Sequence, residues 1–288
     1  MSNNANAPLS NRPGSAQPRK RRGLIVGIIA AVVGIIAAII VVPRLVAPGD
    51  SPAADASGYS LVAPGTLTVA TEGTYKPFSY HDESGDLVGY DIEVAEAVAG
   101  KLGLEVAFEE TEWAAIFAGL EGKRFDVIGN QVSINDERKA QYSLSDPYTV
   151  SPGAIIVRSD NTDITGFDSL AGKTSAQSAT SNWFEIAKSY GATVEEVEGW
   201  NESISLLRDA RVDFTLNDKL TFLDFVETEG ADDIKIVAET DDPSLSAFAL
   251  TKDNGVLTDD INSALAELSA EGTLAEIGTK YFGADVSK

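Results

Sequence analysis

Two hydrophobic rhythms alternate along most of this chain, and one long apolar run precedes them. Short runs rich in Val, Ile, Phe and Leu at residues 67–70, 105–108, 125–129, 212–216 and 247–250 predict strands. Between them, apolar positions recur at helical spacing. Ile92, Ala95, Ala99 and Leu102 mark one helix, with Asp91 as its expected cap and Gly103 as its stop. Residues 113–120, 183–190, 202–208, 257–268 and 273–281 read as further helices, the third of them capped by Asn201. The first strands and helices alternate as a βαβαβ unit. A second such unit follows a break at Ser151-Pro152-Gly153, so the expected fold is α/β with two lobes and a cleft between them.

The apolar run is of another kind. Residues 23–42 contain no charged residue and reach the roughly 20 apolar positions that cross a bilayer. Arg19-Lys20-Arg21-Arg22 precedes them and only Arg44 follows closely, which puts the N-terminus inside and the rest outside. A cleaved signal peptide is the alternative, but its apolar core is normally only about 7 to 15 residues. The Ala54-Asp55-Ala56 site lies well beyond the run. The expected order is therefore a disordered cytoplasmic tail (1–22), a single-pass anchor (23–42), a tether (43–58) and an exported α/β domain.

Charge narrows the partners. Five of the 22 bases lie in residues 1–22, which leaves 44 acids against 17 bases beyond them, a formal charge of −27. Such a surface repels nucleic acid. The chain has no cysteine, which excludes disulfides, thiol catalysis and a lipoprotein anchor, and its one histidine, His81, has no metal-ligand spacing around it. No metal or cofactor is implied, and no phosphate-binding loop is present.

The stretch from Asn130 to Lys139 carries the candidate chemistry. A polar segment follows the strand at 125–129. Asn135 fits a helix N-cap with Asp136 and Glu137 in the first turn, which sets Arg138 near the strand's carboxyl end, where α/β sheets bind ligands. A guanidinium there suits a carboxylate bidentately, with Gln131 and Ser133 beside it. A surface arginine paired with Asp136 or Glu137 is the competing reading.

Three ordered motifs resemble a known family. Residues 70–78 (Ala-Thr-Glu-Gly-Thr-Tyr-Lys-Pro-Phe), residues 87–95 (Leu-Val-Gly-Tyr-Asp-Ile-Glu-Val-Ala) and the Arg138 segment look like the extracellular solute-binding proteins, family 3, the polar-amino-acid branch with a type II periplasmic-binding fold. The Asn-Gln-Val before the arginine and the closing residues 281–286 look most like its cystine-binding members. The resemblance spans residue 67 to the C-terminus. It implies two lobes, 59–151 with 247–288 and 152–246, hinged near 151–153 and 245–247. It also implies a monomer that passes its ligand to a membrane permease with a separate ATPase.

By the same resemblance Arg138 and Ser133 hold the ligand α-carboxylate and Asp218 its ammonium, while Tyr75 and Trp113 wall the pocket. Glu72 and Gln131 contribute polar contacts, and Thr180, Ser181 and Asn182 form a gripping loop. Relatives usually carry Gly-Thr where this chain has Thr180-Ser181, which weakens that loop's carry-over. Asp218 has a second reading, as the cap of a helix beginning at Lys219. Other polar amino acids, glutamine among them, are alternative ligands. A lyase acting on small carboxylates shares related folds, but the chain offers no recognisable catalytic pair. A sensor role would need a cytoplasmic partner for output.

Overall fold

The computed structural model describes residues 58–288. The expected tail and anchor, and all but the last residue of the tether, lie outside the described residues. Among the described residues no helix is long and apolar enough to cross a membrane. The first lobe begins with β1 (Thr66–Thr71), the small strands β2 (Thr74–Tyr75), β3 (Ser79–His81) and β4 (Leu87–Val88), and α1 (Tyr90–Leu102). It continues through β5 (Glu105–Glu110), α2 (Trp113–Glu121), β6 (Val127–Ser133), α3 (Asp136–Gln141), β7 (Tyr142–Leu144) and β8 (Thr149–Ser151).

The chain then crosses at Pro152 into β9 (Gly153–Arg158), β10 (Thr174–Ser178), α4 (Asn182–Ser189) and β11 (Thr193–Val197). The second lobe ends with α5 (Trp200–Arg208), β12 (Phe214–Asp218), α6 (Lys219–Glu229) and β13 (Ile234–Glu239). A return crossing leads to β14 (Ser244–Thr251), α7 (Gly255–Glu271) and α8 (Thr273–Phe282), back in the first lobe.

The two main sheets are built alike. One runs β5-β1-β6-β14-β7 with β8 also on β14, and the other β11-β10-β12-β9-β13. In each, the first three strands pair in parallel and the returning strand runs antiparallel. Central strands β6 and β12 are buried along their whole length, apolar where they enter the sheet and polar at the ends that reach the cleft. Val69, Val94, Val98, Phe248, Ile261 and Leu265 form part of the first core, and Ala154, Ile156, Ile204, Leu207 and Phe222 part of the second.

Three local expectations change. The N-cap of α1 is Gly89, and Asp91 sits buried in the first turn instead. Gly199, not Asn201, precedes α5. The return crossing falls at 240–243, because residues 245–247 already pair inside β14 with β8 and β6. Gly89 has a φ of 139°, and an added Cβ would stand 2.2 Å from the Phe78 carbonyl oxygen. Gly89→Ala is therefore expected to lose about 3 kcal/mol or more of stability, measured by denaturant unfolding.

Candidate functional site

The site is founded on an irregularity in β6. Its register against β14 steps from Val132 opposite Ala247 to Ile128 opposite Ala249, so Gly129, Asn130 and Gln131 share Phe248. Gln131 takes a left-handed φ of 50°, which non-glycine residues adopt rarely. The strand thus keeps pairing through Ser133, and the polar stretch expected beyond it is the bulged end of the strand. Extra residues in a bulge re-aim side chains, and here the two amides line a cleft between the lobes.

Asn130 acts as the hub of the first wall. Its Oδ1 accepts from the Thr71 hydroxyl at 3.0 Å and from the Glu72 N–H at 2.9 Å, while its Nδ2 donates to Glu72 Oε2 at 2.7 Å. Glu72, Tyr75, Trp113, Gln131, Ser181 and Asn182 all line the cleft. Glu112 faces a separate recess with Ser178 and Glu196. Gln177, Trp183, Trp200 and Asn217 complete the opposite wall and were not singled out from spacing. Trp200 follows a glycine at a helix start, a position with no signal beyond its own aromatic character.

Arg138 is buried, and the surface ion-pair reading of it fails. Asn135 caps α3 as expected, its Oδ1 accepting from the Arg138 N–H at 2.8 Å. The guanidinium stands 5.3 Å from the Trp113 ring centre and 5.4 Å from that of Phe117. Its Nη1 donates to the Ser133 carbonyl at 2.9 Å, and its Nη2 reaches across the lobes to the Thr180 carbonyl at 3.3 Å. Arg138 and Thr180 line a recess adjoining the cleft, and Ser181 and Asn182 border both spaces. Thr180 has a φ of 63°, strained for a β-branched residue, at a position where glycine is expected. The Ser181 hydroxyl accepts from the Phe184 N–H and caps α4, so this hydroxyl also has a structural task. Ser133 offers its carbonyl to Arg138, and its hydroxyl accepts from Ser244 at 3.1 Å.

Across the cleft the charge reverses. Asp218 caps α6, its Oδ1 accepting from the Leu220 N–H at 2.9 Å and from the Ser151 hydroxyl at 2.6 Å. It lies just behind Asn217, whose Oδ1 accepts from Tyr75 at 2.8 Å. Tyr75 is the meeting point of three acids: Asp218, Glu72 and Asp91 all push its hydroxyl further above the usual range, after burial itself. Burial raises Glu72 and Asp91 to about 7 and Asp218 to about 6, each against hydrogen bonds that pull the other way. Burial lowers Arg138 to about 10, which leaves it a cation at neutral pH. No ion pair among the described residues involves Glu72, Asp91, Arg138 or Asp218. A cation at one end and partly protonated carboxyls at the other complement a zwitterion, whose ammonium would supply the missing counter-charge.

Comparison with known proteins identifies the family. Residues 67–284 match the profile of the bacterial extracellular solute-binding proteins, family 3. The chain is 47% identical over 230 residues to the L-cystine-binding protein TcyA of Bacillus subtilis (strain 168), covering 80% of this chain and 85% of that one. An ancestral arginine-binding protein bound to glutamine superposes with a TM-score of 0.72 at 35% identity, over 77% of this chain and 99% of that one. The L-cystine solute receptor of Neisseria gonorrhoeae, unliganded and open, is 43% identical over 78% of this chain and 95% of that one, yet gives a TM-score of 0.55. The fit to the liganded relative is thus the better of these two although its identity is the lower.

Proposed function

As the chain belongs to the bacterial extracellular solute-binding proteins of family 3, we propose that it captures L-cystine between its lobes outside the cell and delivers it to an ABC-type permease. The observation that carries this reading is the charge layout: Arg138 in a recess beside the cleft, Glu72 in its first-lobe wall and Asp218 behind Asn217 in the opposite wall, none of them in an ion pair among the described residues. Cystine is two amino-acid zwitterions joined through sulfur. In this reading the Arg138 fork takes one α-carboxylate, helped by Ser133 and the Thr180-Ser181-Asn182 loop. Asp218 takes the neighbouring ammonium and Glu72 the second one, while Tyr75 and Trp113 cover the apolar middle and Gln131 adds a polar contact.

Closure about the crossings at Pro152 and 240–243 desolvates these pairs and presents a joined surface for the permease. The apolar run at 23–42 anchors the domain at the membrane, and the ATPase is a separate subunit. We read the chain as a receptor rather than an enzyme. Incubation with cystine should return it unchanged, and measurable turnover would overturn that part. A thermal-shift panel of the full chain in detergent with the common amino acids and cystine tests the ligand. Cystine should raise the melting temperature most, because a ligand stabilises the form it binds. A larger shift with glutamine or arginine alone would reassign the substrate.

The raised carboxyls also set a pH dependence. Their folded pKa values, about 6 to 7, exceed the roughly 4 of the unfolded chain, so the folded protein holds the extra protons between those limits. Their contribution to stability is greatest below about pH 4 and declines as pH rises to about 7. Ammonium binding requires the ionised forms, so affinity moves the other way. Cystine affinity is expected to fall about tenfold or more from pH 8 to pH 5, read by equilibrium binding. An affinity that rises on acidification would contradict the assignment of the acids.

A further inference from the structure

We propose that Asp91, which does not line the cleft, is the positioning residue that clamps Gln131 in its left-handed conformation and so sets the floor of the ligand site. The proposal rests on the solute-binding reading above. Asp91 projects from the first turn of α1, a helix of the first-lobe core. Its two carboxylate oxygens go to one residue. Oδ2 accepts from the Gln131 backbone N–H at 2.9 Å and Oδ1 from its side-chain Nε2 at 2.6 Å. Both ends of the strained residue are therefore held by a single side chain. The Gln131 amide also donates to the Thr149 hydroxyl at 3.0 Å, on the strand that leads to the Pro152 crossing. Immediately before Gln131 stands Asn130, which holds Glu72 in the cleft wall. A change at Asp91 thus reaches the cleft lining through two adjacent residues and the crossing strand through a third.

A carboxylate is the chemistry this task needs. A backbone N–H and a side-chain N–H must both be accepted by one group, and bonds to an ionised acceptor are the strong kind. Asparagine would offer one acceptor and turn a donor against the other N–H. Asp91 is 1% exposed and no described ion pair reaches it, so besides Gln131 its charged form is favoured by the Tyr148 hydroxyl and the helix N-terminus. The groups that face it are Gln131 from β6, Tyr148 from the segment before β8, Tyr90 beside it on α1 through Tyr148, and Asp218 and Tyr75 from the cleft side. Burial places its titration near neutrality, at about 7, so the clamp itself loosens as the carboxylate gains a proton.

The chain has four glutamines, so selective nitrogen-15 glutamine labelling of the full chain in detergent gives four backbone amide signals, assigned by substitution. In the unliganded protein the Gln131 amide is expected to shift between pH 5 and 9 with a midpoint near neutrality, and Asp91→Asn to abolish the shift. Asp91→Asn is also expected to weaken L-cystine binding about 10- to 100-fold. In a Gln131→Gly background, where left-handed backbone costs little, the same change should cost less than about threefold. An amide that does not titrate, or an equal penalty in both backgrounds, overturns the proposal. Should wild type bind no cystine, the functional reading falls while the amide titration still decides Asp91. Should Asp91→Asn fail to fold, the wild-type titration decides alone.

Discussion

Arg138→Ala is expected to reduce cystine binding by about 10²- to 10³-fold or more, to the limit of a calorimetric or equilibrium-dialysis measurement. The guanidinium is buried, bonds the Ser133 and Thr180 carbonyls of the two lobes, and stands within cation–π distance of the Trp113 and Phe117 rings. Removing one partner of a desolvated, hydrogen-bonded charge pair costs about 3–5 kcal/mol, because the other charge is left buried and uncompensated. The uncompensated charge here is the ligand carboxylate. Arg138→Lys keeps the cation but loses the planar fork, so it should recover only part of the affinity. Both variants should still melt cooperatively, since Arg138 lies on a six-residue helix outside the main cores. An Arg138→Ala protein that binds cystine as wild type does would place the ligand elsewhere.

Asp218→Asn should separate function from stability. The carboxylate is 5% exposed with no described cationic partner, and it sits near two further acids around Tyr75. Burying a carboxyl without a cation disfavours its charged form, so the neutral isostere is expected to leave the empty protein as stable as wild type, or more so, at pH 8. Its structural tasks survive, because asparagine caps helices about as well and its Oδ1 still accepts from Leu220 and Ser151. Binding is another matter. The ligand ammonium loses its counter-charge, for an expected loss of about 100-fold in affinity at pH 8. Denaturant unfolding and equilibrium binding on the same preparation check both halves. Equal affinity would remove Asp218 from the site, and a large loss of stability would make it a structural cap alone.

Much of the scaffold was legible because its elements obey simple periodicities. The apolar strands at 67–70 and 247–250, the helix stop at Gly103 and the cap at Asn135 lie where propensity and capping place them. Legibility fails where tertiary contacts override local preference. Gly129-Asn130-Gln131 reads as a strand terminus, but pairing with β14 continues past it through a bulge that Asp91 braces. Asp91 reads as a cap, since nothing local reveals an acceptor for a strand some 40 residues away. The hairpin strands β2 to β4 and the strand β13 are short or unremarkable in pattern, and are stabilised by partners distant in sequence.

Of the candidate site, residue types were legible more than geometry. The residues around Arg138 read as a carboxylate clamp and the family resemblance names Asp218 as the opposing acid, and the structure shows both buried without an ion pair among the described residues. Spacing did not reveal that Arg138 faces a recess beside the main cleft, nor that it spans the lobes to Thr180. Threonine at a left-handed φ there is a cost this chain bears at the point of closure. Tyr75 adds a second bridge, donating to Asn217 and accepting from the Thr221 hydroxyl at 3.1 Å. The lobes are thus bridged at two points, one at the Arg138 cation and one at Tyr75 among acids.

The most direct test is a calorimetric titration of the full chain with L-cystine at pH 6.5, repeated in buffers of different ionisation heat. Partly protonated Glu72 and Asp218 meet an arriving ammonium, so ionisation should accompany capture. One cystine per chain with net release of protons is the predicted result, and no binding, or binding with net proton uptake, would contradict it.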